Sequence, residues 1–264
     1  MKKNMDITII QLHVEYKNKH KNIESVSELL DKAQVVGDIT LLPEMFSTGY
    51  IFNEPAEIHS LGEDFNDSET IQSLTSLAKK HETLIVAGLA EKEDGHYYNS
   101  VAVIDQNGLL HKYRKISKNQ IDKRYFSRGE TPLTFEYKGL KFGVAICFDI
   151  WFPEITRAYQ DADIILHPAN FDGQQSFSIA QARALESGCH IITCNRTGKD
   201  ITDEIVAEYC GSSRAYTPKG EVLIQLEQGQ SVQTFQIGDL SLAPQYNGIN
   251  LTEEIESIGL VINK

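Results

Sequence analysis

The sequence predicts an α/β fold in which β-sheets are layered with helices, with two sheets face to face as an arrangement that fits, within one domain spanning residues 1–264. Three observations predict it. Short β-branched runs recur along the chain, and several are nearly continuous in apolar residues, as expected of strands covered on at least one face. Amphipathic helical patterns separate these runs early and late in the chain. The middle and the C-terminal region read instead as consecutive strands, joined by turns at 105–108 (DQNG) and 217–220 (TPKG). No linker, low-complexity tract or internal repeat divides the chain.

In chain order, strands are expected at 6–12, 38–42, 83–89, 100–105, 141–147, 163–167, 190–195, 221–226 and 233–237. The run LLHKYRK, after the turn at 105–108, reads as a returning hairpin strand. A helix is expected over 21–36, where Ile23, Val26, Leu29, Leu30 and Ala33 repeat at helical spacing, with Gly37 as its C-terminal cap. A second is expected over 68–81, carried by Ile71, Leu74, Leu77 and Ala78, with Asp67 or Ser68 at its N-cap. A third covers 176–188 and stops at Gly188.

Composition narrows the function. An apolar content of 41% is ordinary for a globular chain with a sizeable core. A formal net charge of -12 argues against nucleic-acid binding and against adhesion to anionic membrane surfaces. The N-terminal apolar run is too short for a signal-peptide core, and no stretch approaches a membrane span, so a cytoplasmic protein is expected. Cys147, Cys189, Cys194 and Cys210 form no CxxC pair, which leaves a zinc or redox motif unsupported. No metal and no cofactor is expected.

Three residues in distant segments stand where chemistry needs them. Glu44 follows a strand that stops at Pro43, because proline cannot donate to a ladder. The neighbouring Met45 and Phe46 make a partly apolar setting, which raises a carboxyl toward the range of a general base. A surface or capping glutamate is the plainer reading. Lys115 shares a face with Tyr113 by strand alternation. An inward lysine needs an anionic partner or an active site, whereas an edge lysine that discourages aggregation needs neither. Cys147 ends a β-type run and precedes a polar-aromatic stretch and Pro153. It is either a nucleophile, needing a cation or base beside it, or a buried structural thiol. His167 or His190 beside it would make a Cys–His pair.

Taken together, PEMFSTGY (43–50), HKYRK (111–115) and CFDIWFPE (147–154) resemble, in that order, the signatures of the nitrilase superfamily of carbon–nitrogen hydrolases. The resemblance extends through YNSVAVIDQNG (98–108), HPANF (167–171), ARALESG (182–188), CNRTG (194–198) and GSSRAYTPKGEVL (211–223). It implies a four-layer α-β-β-α sandwich of the α/β class, usually paired across helices as a homodimer. It also implies that Glu44 is a general base, that Cys147 attacks a carbonyl or nitrile carbon to give a thioester, and that Lys115 holds the oxyanion together with the N–H of Phe148.

One departure stands out. Relatives place a second glutamate ahead of an aromatic-x-x-Gly turn, and counting back from Phe126 puts Asp122 there. Asp122 is expected to hydrogen-bond Lys115 and position substrate, with an ordinary loop residue as the alternative. The tails of the first and third signatures resemble the ω-amidase branch, which hydrolyses the terminal amide of 2-oxo acids such as 2-oxoglutaramate. An aliphatic amidase, an N-carbamoyl amine hydrolase and a non-catalytic binding member of the same fold stay open. Phe46, Phe148, Trp151 and Phe171 are expected to wall the pocket. Arg128, Arg157, Arg183 and Arg196 are the available anchors for a substrate carboxylate.

Overall fold

The computed structural model describes residues 4–238, 245–246 and 248–262. The chain begins β1 (Met5–Gln11), α1 (Lys19–Lys32), β2 (Ile39–Leu41), α2 (Pro55–Leu61), α3 (Glu69–His81), β3 (Leu84–Glu93), β4 (His96–Asp105), β5 (Gly108–Arg114) and α4 (Gln120–Tyr125). It continues through β6 (Leu133–Tyr137), β7 (Leu140–Val144), a 3-10 turn at Cys147–Trp151, α5 (Pro153–Arg157), β8 (Ile164–Pro168) and α6 (Gln175–Ser187). The strands β9 (His190–Cys194), β10 (Thr197–Ile201), β11 (Val206–Cys210), β12 (Arg214–Tyr216), β13 (Val222–Gln225) and β14 (Ser231–Ile237) follow, and α7 (Leu251–Ile262) comes last.

Two six-stranded sheets form the centre, ordered β14-β1-β2-β3-β4-β5 and β13-β12-β9-β8-β7-β6. Each has a parallel middle, β1-β2-β3 in one and β7-β8-β9 in the other, flanked by antiparallel strands. Ile7, Ile9, Leu41, Val86 and Val101 of the first sheet share one core with Phe142, Val144, Ile164 and Ile191 of the second. The sheets therefore lie face to face. On the outer face of the first, Ile10, Leu42, Ile85 and Ala87 pack against Val26 and Leu30 of α1 and Leu74 and Ala78 of α3. Helix α6 covers the second sheet through its contacts with β9 and β12. This is the expected α-β-β-α sandwich. Strands buried on both faces explain why their sequences read as continuous apolar runs.

Local signals account for the element ends. The Ser68 hydroxyl accepts from Ile71 N–H at 3.0 Å and caps α3. Gly188 adopts φ 63° and ends α6. Gly37 does not end α1, contrary to expectation. The helix stops at the extended residue Ala33, and Gly37 instead lets the chain pass β1, where a Cβ would meet the Asp6 carbonyl oxygen at 2.5 Å. The expected strand 141–147 also ends early, at Val144, and Cys147 opens the 3-10 turn.

Candidate active site

The parallel strands β2, β7 and β8 deliver their following loops to one edge of the sandwich, the usual place for a site in an α/β sheet. Glu44 comes after β2, Cys147 after β7 and Asn170 after β8, while Lys115 leaves the end of β5. The Lys115 N–H donates to the Asn99 carbonyl at 2.9 Å, which continues the β4–β5 ladder to the site. Gly88 makes the Glu44 loop possible. A Cβ there would lie 2.5 Å from the Glu44 Cα and 2.7 Å from the Pro43 oxygen.

Lys115 is the centre of the charge arrangement. Its Nζ lies 2.9 Å from Glu44 Oε1 and 2.9 Å from Asp122 Oδ2, and all three side chains are buried. Burial works against the ammonium, but Asp122 and Glu44 outweigh it and hold Lys115 well above the usual lysine value. Asn99 Nδ2 donates to Glu44 Oε1 at 2.7 Å and to Asp122 Oδ1 at 3.3 Å, so one amide spans both carboxylates. Burial raises the Glu44 carboxyl, and the Asp122 charge raises it further against the pull of Lys115. Among the described residues, no donor bonds Glu44 Oε2. Cys147 feels this carboxylate directly: burial pushes its thiol well up, Glu44 adds to the rise, and Lys115 opposes it. The Cys147 thiol thus faces the Glu44 carboxyl group, with the Lys115 ammonium held beside them.

The backbone at both residues is unusual. Cys147 has φ 45° and Met45, next to Glu44, has φ 50°. Non-glycine residues rarely occupy this region, which costs about 1–3 kcal/mol and persists where the surroundings enforce it. Asp149 is one such enforcer. Its Oδ2 accepts from Ile146 N–H at 2.9 Å and from the Tyr113 hydroxyl at 2.7 Å, and its Oδ1 accepts from Ser117 N–H at 2.8 Å. A single buried carboxylate thus ties the Cys147 turn to the segment carrying Lys115.

A second buried ion pair holds Tyr50 near Lys115. Arg196 Nη1 lies 3.0 Å from Asp200 Oδ1, and both side chains are fully buried. Asp200 Oδ2 accepts from Tyr50 N–H at 2.8 Å, Ile51 N–H at 3.1 Å and the Tyr209 hydroxyl at 2.8 Å. The Tyr50 ring centroid then lies 5.4 Å from Lys115 Nζ, and its hydroxyl donates to Asn119 Oδ1 at 2.9 Å.

Glu44, Lys115, Asp122 and Cys147 are brought together. Asp122 keeps a second duty as part of the capping box that starts α4. Phe148 and Trp151 are half-buried beside Cys147, with ring centroids 6.1 Å apart. Phe171 is buried and packs edge-on against Phe177, with centroids 5.1 Å apart. Phe46 is placed elsewhere: its side chain is fully buried in the core between the first sheet and helices α1 and α3, because the turn at Met45 sends it to the outer face. It is not a pocket wall. Three of the arginines are engaged away from the thiol. Arg196 holds Asp200, while Arg183 donates to the Ile150 carbonyl and pairs with Glu186, which also pairs with Arg157. Arg128, on an exposed loop, donates to the Ile116 carbonyl at 2.5 Å.

His167 does not pair with the thiol. Its ring bonds the Cys147 carbonyl at 3.1 Å and the Thr193 hydroxyl at 2.9 Å, and burial lowers its pKa to about 4. Asn99, Asn170 and Asp149 are the site residues that the charge-based reading missed. Asn99 and Asn170 lie within the YNS and HPANF segments, yet a neutral amide carries no signal of its own in one sequence.

A thiol in a strained turn, a carboxylate with a free oxygen and a buried ammonium together define a thiol-dependent acyl-transfer site. The chain belongs to the carbon–nitrogen hydrolase family, whose model matches residues 6–244. It is similar to a nitrilase of Pyrococcus abyssi, at 34% identity over 82% of this chain and 83% of that protein. It is also similar to the 2-oxoglutaramate amidase of Bacillus subtilis, at 31% identity over 83% of this chain and 85% of that protein. The fold matches that of Saccharomyces cerevisiae Nit3, a member of branch 10 of the nitrilase superfamily, with a TM-score of 0.79 at 20% identity, covering 97% of this chain and 95% of that one. The protein is thus a carbon–nitrogen hydrolase of the amidase kind.

Proposed function

We propose that the protein hydrolyses the terminal amide of a small linear ω-amide, such as the amide of a 2-oxo acid of the 2-oxoglutaramate type, and releases ammonia. The observation that carries this is the buried Lys115 bridging Glu44 and Asp122 beside Cys147. Glu44 takes the thiol proton as the sulfur attacks the amide carbon. The carbonyl oxygen becomes an oxyanion between the Lys115 ammonium and the N–H of Phe148, which lies in the first turn of the 3-10 segment, where N–H groups lack intrahelical acceptors. The C–N bond breaks, Glu44 returns the proton to the departing nitrogen, and ammonia leaves a thioester. Glu44 then removes a proton from water, which cleaves the thioester to the free acid and restores the thiol. Asp122 holds Lys115 in place. Similarity to a 2-oxoglutaramate amidase and to the ω-amidase YafV of Escherichia coli supports the substrate class.

The test is an ammonia-release screen over ω-amides, alkyl amides, N-carbamoyl amines and nitriles. Turnover centred on ω-amides is expected, and turnover confined to carbamoyl amines or nitriles would overturn the assignment. A homodimer paired across helix layers belongs to the same reading. Leu185 on α6 is 42% exposed, as an interface there would require. Light scattering at the monomer mass would remove that part.

A further inference from the structure

Asn170 is 8% exposed, and neither Nδ2 nor Oδ1 of its side chain has a hydrogen-bond partner among the described residues. Buried carboxamides are ordinarily satisfied, so one with both ends free requires an explanation. Its position supplies one. Asn170 lies in the loop that follows β8, and the β8 residue His167 bonds the Cys147 carbonyl at 3.1 Å, which places that loop beside the nucleophile.

The flanking backbone is fixed on both sides. Ala169 N–H donates to the Cys194 carbonyl at 2.9 Å. Phe171 N–H donates to Asn195 Oδ1 at 2.7 Å, and Asn195 Nδ2 returns a bond to the Phe171 carbonyl at 3.1 Å. Asn170 is thus held rigidly with its amide unspent, as a preorganised recognition group is. Arg157, Arg183 and Arg196 meanwhile are committed to other partners.

On the amidase reading above, we propose that Asn170 is the specificity-determining residue for the acyl chain. Its Nδ2 donates to an oxygen on that chain and its Oδ1 accepts from a hydroxyl, a water or a substrate N–H. The substrate class is amides with a polar acyl group, carboxylate, oxo or carboxamide alike, recognised by a neutral amide rather than a guanidinium. A site built to hydrogen-bond a polar group discriminates strongly against the analogue lacking it, because its own group is left unpaired.

The experiment measures binding by calorimetry to the Cys147→Ala protein, which holds an amide without cleaving it. Succinamate, succinamide and butyramide are compared, with and without Asn170→Leu. Succinamate and succinamide are expected to bind at least about tenfold more tightly than butyramide. Asn170→Leu is expected to bring all three within about threefold, without lowering the melting temperature, since leucine fills the same space and removes an unpaired amide. Butyramide binding as well as the others, or a preference that survives Asn170→Leu, overturns the proposal. Tight binding of succinamate alone also overturns it, by pointing to a cation. Failure of the wild type to release ammonia, with the binding preference intact, would instead sink the amidase reading.

Discussion

Replacing Asp122 by Asn removes one charge from the centre of the site while keeping the side chain's size and its capping oxygen. Lys115 then keeps only Glu44, at 2.9 Å, as an anionic partner. Removing one partner from a buried ion pair costs about 3–5 kcal/mol. The retained Glu44 contact favours the lower end, about 3 kcal/mol. For a protein of this size that corresponds to a fall of about 6–12 °C in melting temperature. A residue acting only in the capping box of α4 would lose little, because an asparagine oxygen in the same place still accepts from the Asn119 N–H. The pH profile adds a signed test. The Asp122 charge raises the Glu44 carboxyl, so removing it lowers the pKa of the base. The acidic limb of ammonia release should therefore move to lower pH, while kcat falls by about 10–100-fold as the cation loses its fixed position. Calorimetric melting and pH-dependent ammonia release check both parts. An unchanged melting temperature with an unmoved acidic limb would refute the role of Asp122 in holding Lys115.

Other substitutions carry different signs. Asn99→Leu removes the donor shared by Glu44 and Asp122; it should raise the Glu44 pKa, move the acidic limb upward and cost about 10–100-fold in kcat/KM, measured in the same assay. Asp200→Ala leaves Arg196 buried without its partner and should destabilise by about 3–5 kcal/mol in urea titrations. Glu91 is held below the usual carboxylate range because Arg114, Lys112 and Ser100 outweigh its burial. Its stabilisation is complete above the unfolded value of about 4.3 and is lost as pH falls through the lower folded value. Glu91→Gln should flatten that acid loss of stability in melts between neutral and strongly acid pH. His167 is neutral at physiological pH, with its pKa near 4, so no titration between pH 6 and 8 in the activity profile should disappear in His167→Asn.

The layered fold and the charged members of the site were legible in the sequence for different reasons. Strands such as Ile164–Pro168 are buried along their whole length, and a continuous apolar run reports that directly. Glu44, Lys115 and Cys147 each allowed a plainer structural reading when taken singly, and the resemblance of their three segments to the nitrilase signatures is what joined them. Phe46 was misplaced because its direction depends on the positive φ of Met45, which no residue pattern encodes when a non-glycine residue adopts it. The Gly37 assignment failed because a tight strand crossing and a helix cap both call for glycine. Strands β10 and β11 were not marked out: Val206 and Ile201 are exposed, and a short polar ladder lacks the alternation that burial imposes. The bonds made by Asn99, Asp149 and Asp200 join residues far apart in sequence, and only the folded chain brings them together.

The proposed mechanism rests on attack by the Cys147 sulfur. Ammonia release from an ω-amide accepted by the wild type, measured with Cys147→Ala under the same conditions, tests it most directly. Turnover is expected to fall to the uncatalysed background, with the fold intact by circular dichroism. Turnover surviving the loss of the thiol would contradict it.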